Sequence, residues 1–106
     1  MKKIKETIDF KESLAICRTL YGTFGISELY SIIAILQQGK KLNPRYKDHN
    51  INYGSYKDKN YRDCHIVSVN DDFVLIYKPE KFQLILVNAG SHEKLFPKGS
   101  HNKCKK

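Results

Sequence analysis

The sequence predicts an α+β fold in which two N-terminal helices pack on one face of a small antiparallel β-sheet. Apolar residues recur at helical spacing between residues 9 and 38, whereas three runs that favour strands follow residue 60. The links between those runs are short, and short links make neighbouring strands antiparallel. The length of 106 residues suits one core. We therefore expect a single domain over residues 1–96 and a basic, flexible tail over 97–106.

The first predicted elements are a short strand at residues 2–8 and a helix that follows it. Apolar residues in this helix are spaced by three or four positions, which places them on one helix face. They are Phe10, Leu14, Cys17 and Leu20. Asp9 is expected to be the N-cap, because its short side chain can accept a hydrogen bond from the first turn. Gly22 and Gly25 are expected to break the helix, since glycine is a poor helix former.

A second helix is predicted at residues 27–38, with Gly39 as its C-terminal stop. Its apolar face consists of Leu29, Tyr30, Ile33 and Leu36. Residues 39–60 then change to a polar composition that is typical of a connection. The connection is long for a structureless loop in a compact domain, which indicates that it carries function.

Three strands are predicted in the second half of the chain, at residues 61–69, 73–78 and 82–89. Turn-forming residues at 70–72 and 79–81 separate them. Side chains alternate between the two faces of a strand. Cys64 and Ile66 thus share one face of the first strand, and Asp63 and His65 share the other. The apolar pair suits the core beneath the helices, so we expect His65 on the uncovered face.

The charge balance points to a negatively charged partner. Lys and Arg outnumber Asp and Glu by 19 to 11, which gives a formal net charge of +8. This excess favours nucleic acid or an acidic protein as the ligand. The longest wholly apolar run, at residues 32–36, is far shorter than the roughly 20 residues that span a bilayer. We therefore expect no membrane partner.

The cysteines and histidines lack the spacing of a metal or disulfide framework. The three cysteines are Cys17, Cys64 and Cys104, an odd number without paired spacing. A reduced, cytoplasmic protein is the simpler expectation. No spacing typical of zinc ligands is present. We therefore expect no metal and no other cofactor.

Three histidines, His49, His65 and His92, lie in segments with the composition of a phosphate-binding site. Histidine can take or give a proton near neutral pH. RNA cleavage without a metal needs a base for the ribose 2′-OH, an acid for the 5′-oxygen, and cations for the phosphate. The cationic candidates are Lys47, Arg62 and Lys94. Phe73 and Phe96 could stack on a base.

Four segments in order carry a resemblance to a known family. They are YKDH at 46–49, YRDCHI at 61–66, DFVLIY at 72–77 and GSHEKLF at 90–96. With this set the chain resembles the YafQ-like branch of the RelE superfamily, the mRNA-cleaving toxins of bacterial type II toxin–antitoxin pairs. The resemblance implies metal-independent mRNA cleavage in the ribosomal A site. It also implies inhibition by an antitoxin, and contact with operator DNA only through the antitoxin complex.

The family's catalytic histidines map onto His49, His65 and His92 of this sequence. The resemblance implies that His92 is the general acid. His49 and His65 then compete for the role of base or of phosphate stabiliser, and the sequence leaves that choice open.

The family's remaining positions map onto an aspartate and two aromatic rings. Asp72 is implied to orient or polarise a histidine, although Asp71 stays open as its equivalent because the preceding stretch is expanded here. Phe73, where the family often has Trp, and Phe96 are implied to position the nucleotide or to close the site.

Two other functions are compatible with the composition. The chain could be a catalytically inactive RelE-like module that binds an antitoxin and nucleic acid, which the longer loops favour and the three histidines oppose. It could also be a basic RNA-binding protein held by phosphate contacts alone, whose affinity would fall steeply with salt.

Overall fold

One long helix packs on a five-stranded sheet in residues 1–52, 54–56, 59–69 and 72–95, which the computed structural model describes. In chain order the elements are β1 (Lys3–Glu6), α1 (Ile8–Gln37), β2 (His49–Asn50), β3 (Arg62–Ile66), β4 (Phe73–Pro79), β5 (Gln83–Ser91) and α2 (His92–Leu95). Short 3-10 turns lie at Pro44–Tyr46, Gly54–Tyr56 and Val67–Val69. All four predicted strands are thus present. The tail expected at 97–106 lies outside the described residues.

The sheet is mixed, so the expectation of an antiparallel sheet is only partly right. The strand order is β1-β5-β4-β3-β2. The neighbours β2–β3, β3–β4 and β4–β5 are antiparallel, whereas β1 pairs with β5 in parallel. A short link makes two strands antiparallel only when they follow one another directly in the sequence. β1 is followed instead by α1, and it pairs with the strand that lies last in the sequence.

The expectation of two separate N-terminal helices is not confirmed, because the described residues carry one long helical element with a kink. α1 is assigned as one helix of 30 residues. Its backbone leaves helical geometry at Gly22, where φ is 65° and ψ is −167°. Glycine adopts this positive φ without steric cost, so the predicted break is there. The chain resumes helical geometry at once, and the helix continues through Gly25.

The helix begins two residues earlier than predicted, because Thr7 rather than Asp9 is its N-cap. The Thr7 hydroxyl accepts a hydrogen bond of 3.0 Å from the Phe10 backbone N–H. It also donates one of 2.7 Å to the Val87 carbonyl in β5. Asp9 lies in the first turn, where its negative charge still favours the helix dipole.

The helix-facing core confirms most of the predicted apolar stripes. Its predicted members are Phe10, Leu14, Cys17, Leu29, Ile33, Leu36, Cys64 and Ile66. Leu20 is 64% exposed and Tyr30 is 43% exposed, so their assignment to the core is wrong. The first stripe continues instead at Tyr21, four residues after Cys17, whose partly buried side chain packs against this core.

The opposite face of the sheet carries a second, smaller cluster that leaves part of that face for the site. Its buried members are Ile51, Val74, Ile76 and Leu95. They belong to the 39–60 connection, to β4 and to α2. Ile51 of the connection therefore packs onto this face, whereas Leu42 lies in the helix-facing core.

α1 is long and apolar enough to cross a membrane by length and composition alone. One third (33%) of its most apolar window is buried, and the buried residues of the helix pack against the sheet.

Gly25 is a close-packed position in α1, and Gly25→Ala is expected to destabilise the fold by about 1–3 kcal/mol. A Cβ there would lie 2.7 Å from the Tyr21 Cβ and 3.2 Å from the Val69 Cγ1. Urea unfolding measures the change. Ser27→Ala, at an exposed position of the same helix, is the control and should stay within about 0.5 kcal/mol of the parent. A gain in stability for Gly25→Ala, as helix propensity alone predicts, would contradict the packing.

Candidate active site

The three predicted histidines lie side by side on the face of the sheet opposite α1. His49 lies in β2, His65 in β3, and His92 begins α2 directly after β5. The ring centroids of His49 and His65 are 6.5 Å apart, and those of His65 and His92 are 5.9 Å apart. His65 is the middle ring of the row. Strand pairing therefore brings together imidazoles that are far apart in the sequence.

A buried carboxylate lies beside two of these rings. Asp63 is 0% exposed, and its Oδ1 is 3.3 Å from the His49 Nε2 and 4.0 Å from the His65 Nε2. The sequence analysis did not include Asp63 among the functional residues. A signal was available, because Asp63 and His65 are two residues apart and share a strand face.

The orientation of the His49 ring follows from its backbone contact. Its Nδ1 is 2.6 Å from the Lys47 carbonyl oxygen. A carbonyl oxygen only accepts, so Nδ1 carries the proton and donates. The other nitrogen, Nε2, faces Asp63. Lys47 has a φ of 54° in the left-handed region, and this bend turns its carbonyl toward the ring.

Asp72 contacts His92 through the backbone. Its carbonyl oxygen accepts a hydrogen bond of 2.9 Å from the His92 backbone N–H, at the start of α2. Its carboxylate accepts one of 3.1 Å from the Tyr21 hydroxyl. Burial, followed by the charge and hydrogen bond of Asp72, raises the pKa of Tyr21. Tyr21 is a second residue that the sequence analysis missed. Asp71 lies outside the described residues.

The expectation that Phe73 contacts RNA does not fit its position. The ring is 0% exposed in the helix-facing core. It stacks on Tyr21 with centroids 4.2 Å apart and planes inclined by 7°. As the first residue of β4 it shares a face with Leu75 and Tyr77, opposite the histidines. Phe96, the other expected aromatic, lies outside the described residues.

Arg62 also points away from the histidines, contrary to the expected RNA contact. Its Nε and Nη2 lie 3.2 and 3.3 Å from the two carboxylate oxygens of Asp48, and its Nη1 donates to the Asn50 side chain at 2.8 Å. Tyr77 donates to Asp48 as well, at 2.5 Å. Burial alone would lower the pKa of Arg62, but the Asp48 contacts outweigh it and the pKa is raised. The guanidinium therefore links β3 to Asn50 in β2 and to Asp48 just before it.

The two predicted lysines are exposed. Lys47 lies two residues before His49, and Lys94 lies on α2 two residues after His92. The Lys94 backbone N–H donates to the Ser91 hydroxyl at 3.1 Å, which caps the short helix. Both lysines thus lie within two residues of a histidine of the row in the sequence.

The cysteine next to the site is unsuited to nucleophilic chemistry. Cys64 is 0% exposed on the helix-facing side. Burial, then the charges of Asp48 and Asp63, raises its pKa well above the usual value. A thiol that stays protonated is a poor nucleophile and a poor metal ligand. In the part of the chain that the structure describes, no group of three His, Cys, Asp or Glu residues could hold a metal ion.

This fold and its family match define the class of bacterial toxins from type II toxin–antitoxin systems. A family model described as "Bacterial toxin of type II toxin-antitoxin system, YafQ" matches residues 2–97. The chain is therefore a member of the YafQ toxin family, which confirms the resemblance drawn from the four sequence segments.

Solved structures of relatives agree with this assignment. E. coli YafQ is 25% identical, with a TM-score of 0.76, and the match covers 91% of this chain and 99% of that one. The toxin of the E. coli DinJ–YafQ toxin–antitoxin complex is 26% identical, with a TM-score of 0.75 and coverage of 90% and 97%. A metal-bound toxin from Helicobacter pylori is 32% identical, with a TM-score of 0.74 and coverage of 91% and 100%. No curated protein matches the chain.

Proposed function

We propose that this toxin is a ribosome-dependent endoribonuclease that cleaves mRNA in the A site by metal-independent acid–base catalysis, and so inhibits translation. One observation carries the proposal: three imidazoles, spaced by 6.5 and 5.9 Å between centroids, form a row on one sheet face. An acid and a base acting on one phosphodiester require such groups within a few ångströms of the same phosphate.

In the proposed reaction one histidine removes the proton of the ribose 2′-OH. The 2′-oxygen attacks the adjacent phosphorus, and the bond to the 5′-oxygen breaks. A second histidine protonates that 5′-oxygen, so the products are a 2′,3′-cyclic phosphate and a free 5′-OH. His92 is proposed as the acid, and His49 and His65 as base or phosphate stabiliser. Lys47 and Lys94 would supply positive charge to the RNA backbone.

Two properties favour this chemistry. Imidazoles can transfer the protons that the reaction requires, and the basic chain can attract the negatively charged RNA. Phe73 and Arg62 are left out of the proposed RNA contacts, since both side chains are engaged on the other sheet face. Asp72 is kept as a residue that positions His92, through its backbone carbonyl.

The proposal includes a cognate antitoxin. E. coli YafQ has been solved in complex with DinJ, and the present chain matches that toxin over nearly its whole length. We propose that a cognate antitoxin binds and inhibits this chain in the cytoplasm, and that operator DNA is contacted only through their complex.

The proposal is tested with purified toxin, 70S ribosomes programmed with a defined mRNA, and primer extension to locate cleavage. Cleavage is expected at the A-site codon, to be much weaker on the same mRNA without ribosomes, and to disappear when antitoxin is added. A chain that binds antitoxin yet leaves ribosome-bound mRNA intact would instead be the catalytically inactive module.

A further inference from the structure

Tyr21 is a partly buried side chain of α1 whose hydroxyl reaches Asp72, the residue just before β4. We propose that Tyr21 is a positioning residue for His92, the proposed general acid. Its hydroxyl holds Asp72 in place, and the Asp72 carbonyl in turn holds the backbone from which the His92 ring projects. This inference rests on the proposed function and deepens it. It adds a residue of the helix layer, where none of the family positions assigned above lies.

The Tyr21 ring is held firmly by its packing. It stacks on the buried Phe73 ring, with centroids 4.2 Å apart and planes inclined by 7°. Gly25 packs against it one turn further along α1, so closely that a Cβ there would lie 2.7 Å from the Tyr21 Cβ. Close packing restricts a side chain to few positions. The hydroxyl is therefore a fixed hydrogen-bonding group at the end of a rigid ring.

Asp72 connects this ring to the histidine row through three hydrogen bonds. Its backbone N–H donates to the Val69 carbonyl at 3.4 Å, and its carbonyl accepts from the His92 backbone N–H at 2.9 Å. Its carboxylate accepts from the Tyr21 hydroxyl at 3.1 Å. A hydrogen bond to an ionised acceptor is roughly twice as strong as one between neutral groups. The Tyr21 contact therefore fixes Asp72 relative to α1.

The position of His92 depends on contacts of this kind. It begins α2, which is only four residues long, and a helix that short has little stability of its own. The buried Leu95 fixes the far end of α2, and the Asp72 carbonyl fixes the end that carries His92. A small displacement of a catalytic group slows the chemical step strongly. The expected effect of losing the Tyr21 hydroxyl is therefore on kcat rather than on KM.

The test compares Tyr21→Phe with Tyr30→Phe in the ribosome assay, with rates normalised to folded protein. Tyr21→Phe keeps the stacked ring and removes only the hydroxyl. It is expected to lower kcat by about tenfold and to change KM by less than about twofold, because the two backbone contacts of Asp72 remain. Tyr30→Phe, the matched control, removes a hydroxyl of the same helix that accepts from Arg18 at 3.1 Å. It should leave kcat and KM at the parent values.

A double-mutant cycle shows whether Tyr21 acts through Asp72. Asp72→Ala keeps the carbonyl that binds His92 and removes the carboxylate that accepts the tyrosine hydroxyl. It is expected to lower kcat at least as much as Tyr21→Phe does. Adding Tyr21→Phe to it should then change kcat by less than about twofold, because the contact is already lost. Equal kcat for parent and Tyr21→Phe would overturn the inference, and so would losses that multiply in the double variant.

A second measurement needs no activity. Hydrogen exchange of the His92 backbone amide, followed in ¹H–¹⁵N spectra, reports how often its bond to the Asp72 carbonyl opens. This exchange is expected to be faster in Tyr21→Phe than in the parent, and unchanged in Tyr30→Phe. The same rate in Tyr21→Phe and the parent would overturn the inference. If the parent does not cleave mRNA, the proposed function fails, and the exchange rate still decides whether Tyr21 holds the start of α2.

Discussion

His92→Ala is expected to leave the protein folded and to reduce mRNA cleavage by about 10²–10⁴-fold, the usual contribution of a general acid or base. Without the imidazole, the 5′-oxygen would leave as an alkoxide, which is a poor leaving group. The backbone N–H of residue 92, which donates to the Asp72 carbonyl, is kept in the variant. The start of α2 should therefore be retained. Cleavage rates on programmed ribosomes and growth arrest on expression measure the effect.

Glu93→Ala is the matched control for His92→Ala. Glu93 is exposed and lies next to His92 in α2, so its removal perturbs the same short helix without removing an imidazole. It should arrest growth as the parent does. If His92→Ala were folded and as toxic as the parent, the assignment of His92 as general acid would be wrong, and the choice of acid would pass to another member of the row.

Phe73→Ala is expected to lower the free energy of unfolding by about 3–5 kcal/mol, which is a large part of the stability of a domain of this size. The ring is 0% exposed and stacks on Tyr21. Its loss would leave a cavity between α1 and β4. Urea unfolding followed by circular dichroism measures the change.

Phe82→Ala is the control for this substitution, because its ring is 76% exposed. It should shift stability by no more than about 0.5 kcal/mol. Phe73→Leu, which keeps most of the apolar volume, separates the core role from an RNA contact. A Phe73→Leu protein that is as stable as the parent but fails to cleave mRNA would restore the nucleotide-contacting role that the resemblance implied.

Local patterns predicted the elements of the fold well. Spacing of three and four residues located both halves of α1, and the φ of Gly22 is one that glycine tolerates and other residues avoid. The second helix was not confirmed as a separate element, because both halves belong to one kinked helix. A glycine signals where the backbone departs from helical geometry, but whether the chain then turns away or continues depends on packing against the sheet.

The alternation of side chains predicted the two faces of β3 correctly and could have predicted more. The same rule places Arg62 with Cys64, away from His65, and pairs Asp63 with His65 on the site face. In β4 the rule could not distinguish the two faces, because apolar residues point to both of them. These residues are Phe73, Val74, Leu75, Ile76 and Tyr77. The face of Phe73 therefore needed the structure.

The sequence by itself indicated the strands and the helical segment, the basic charge and the family, and it predicted three histidines as the chemically active residues. These follow from interactions within a few residues, or from the identity of the side chains. Only the tertiary structure decided that β1 pairs in parallel with β5, that the three imidazoles form one row, and that Asp63 lies beside two of them. Such contacts depend on the register between strands distant in the chain, and that register is set by the packing of the whole sheet.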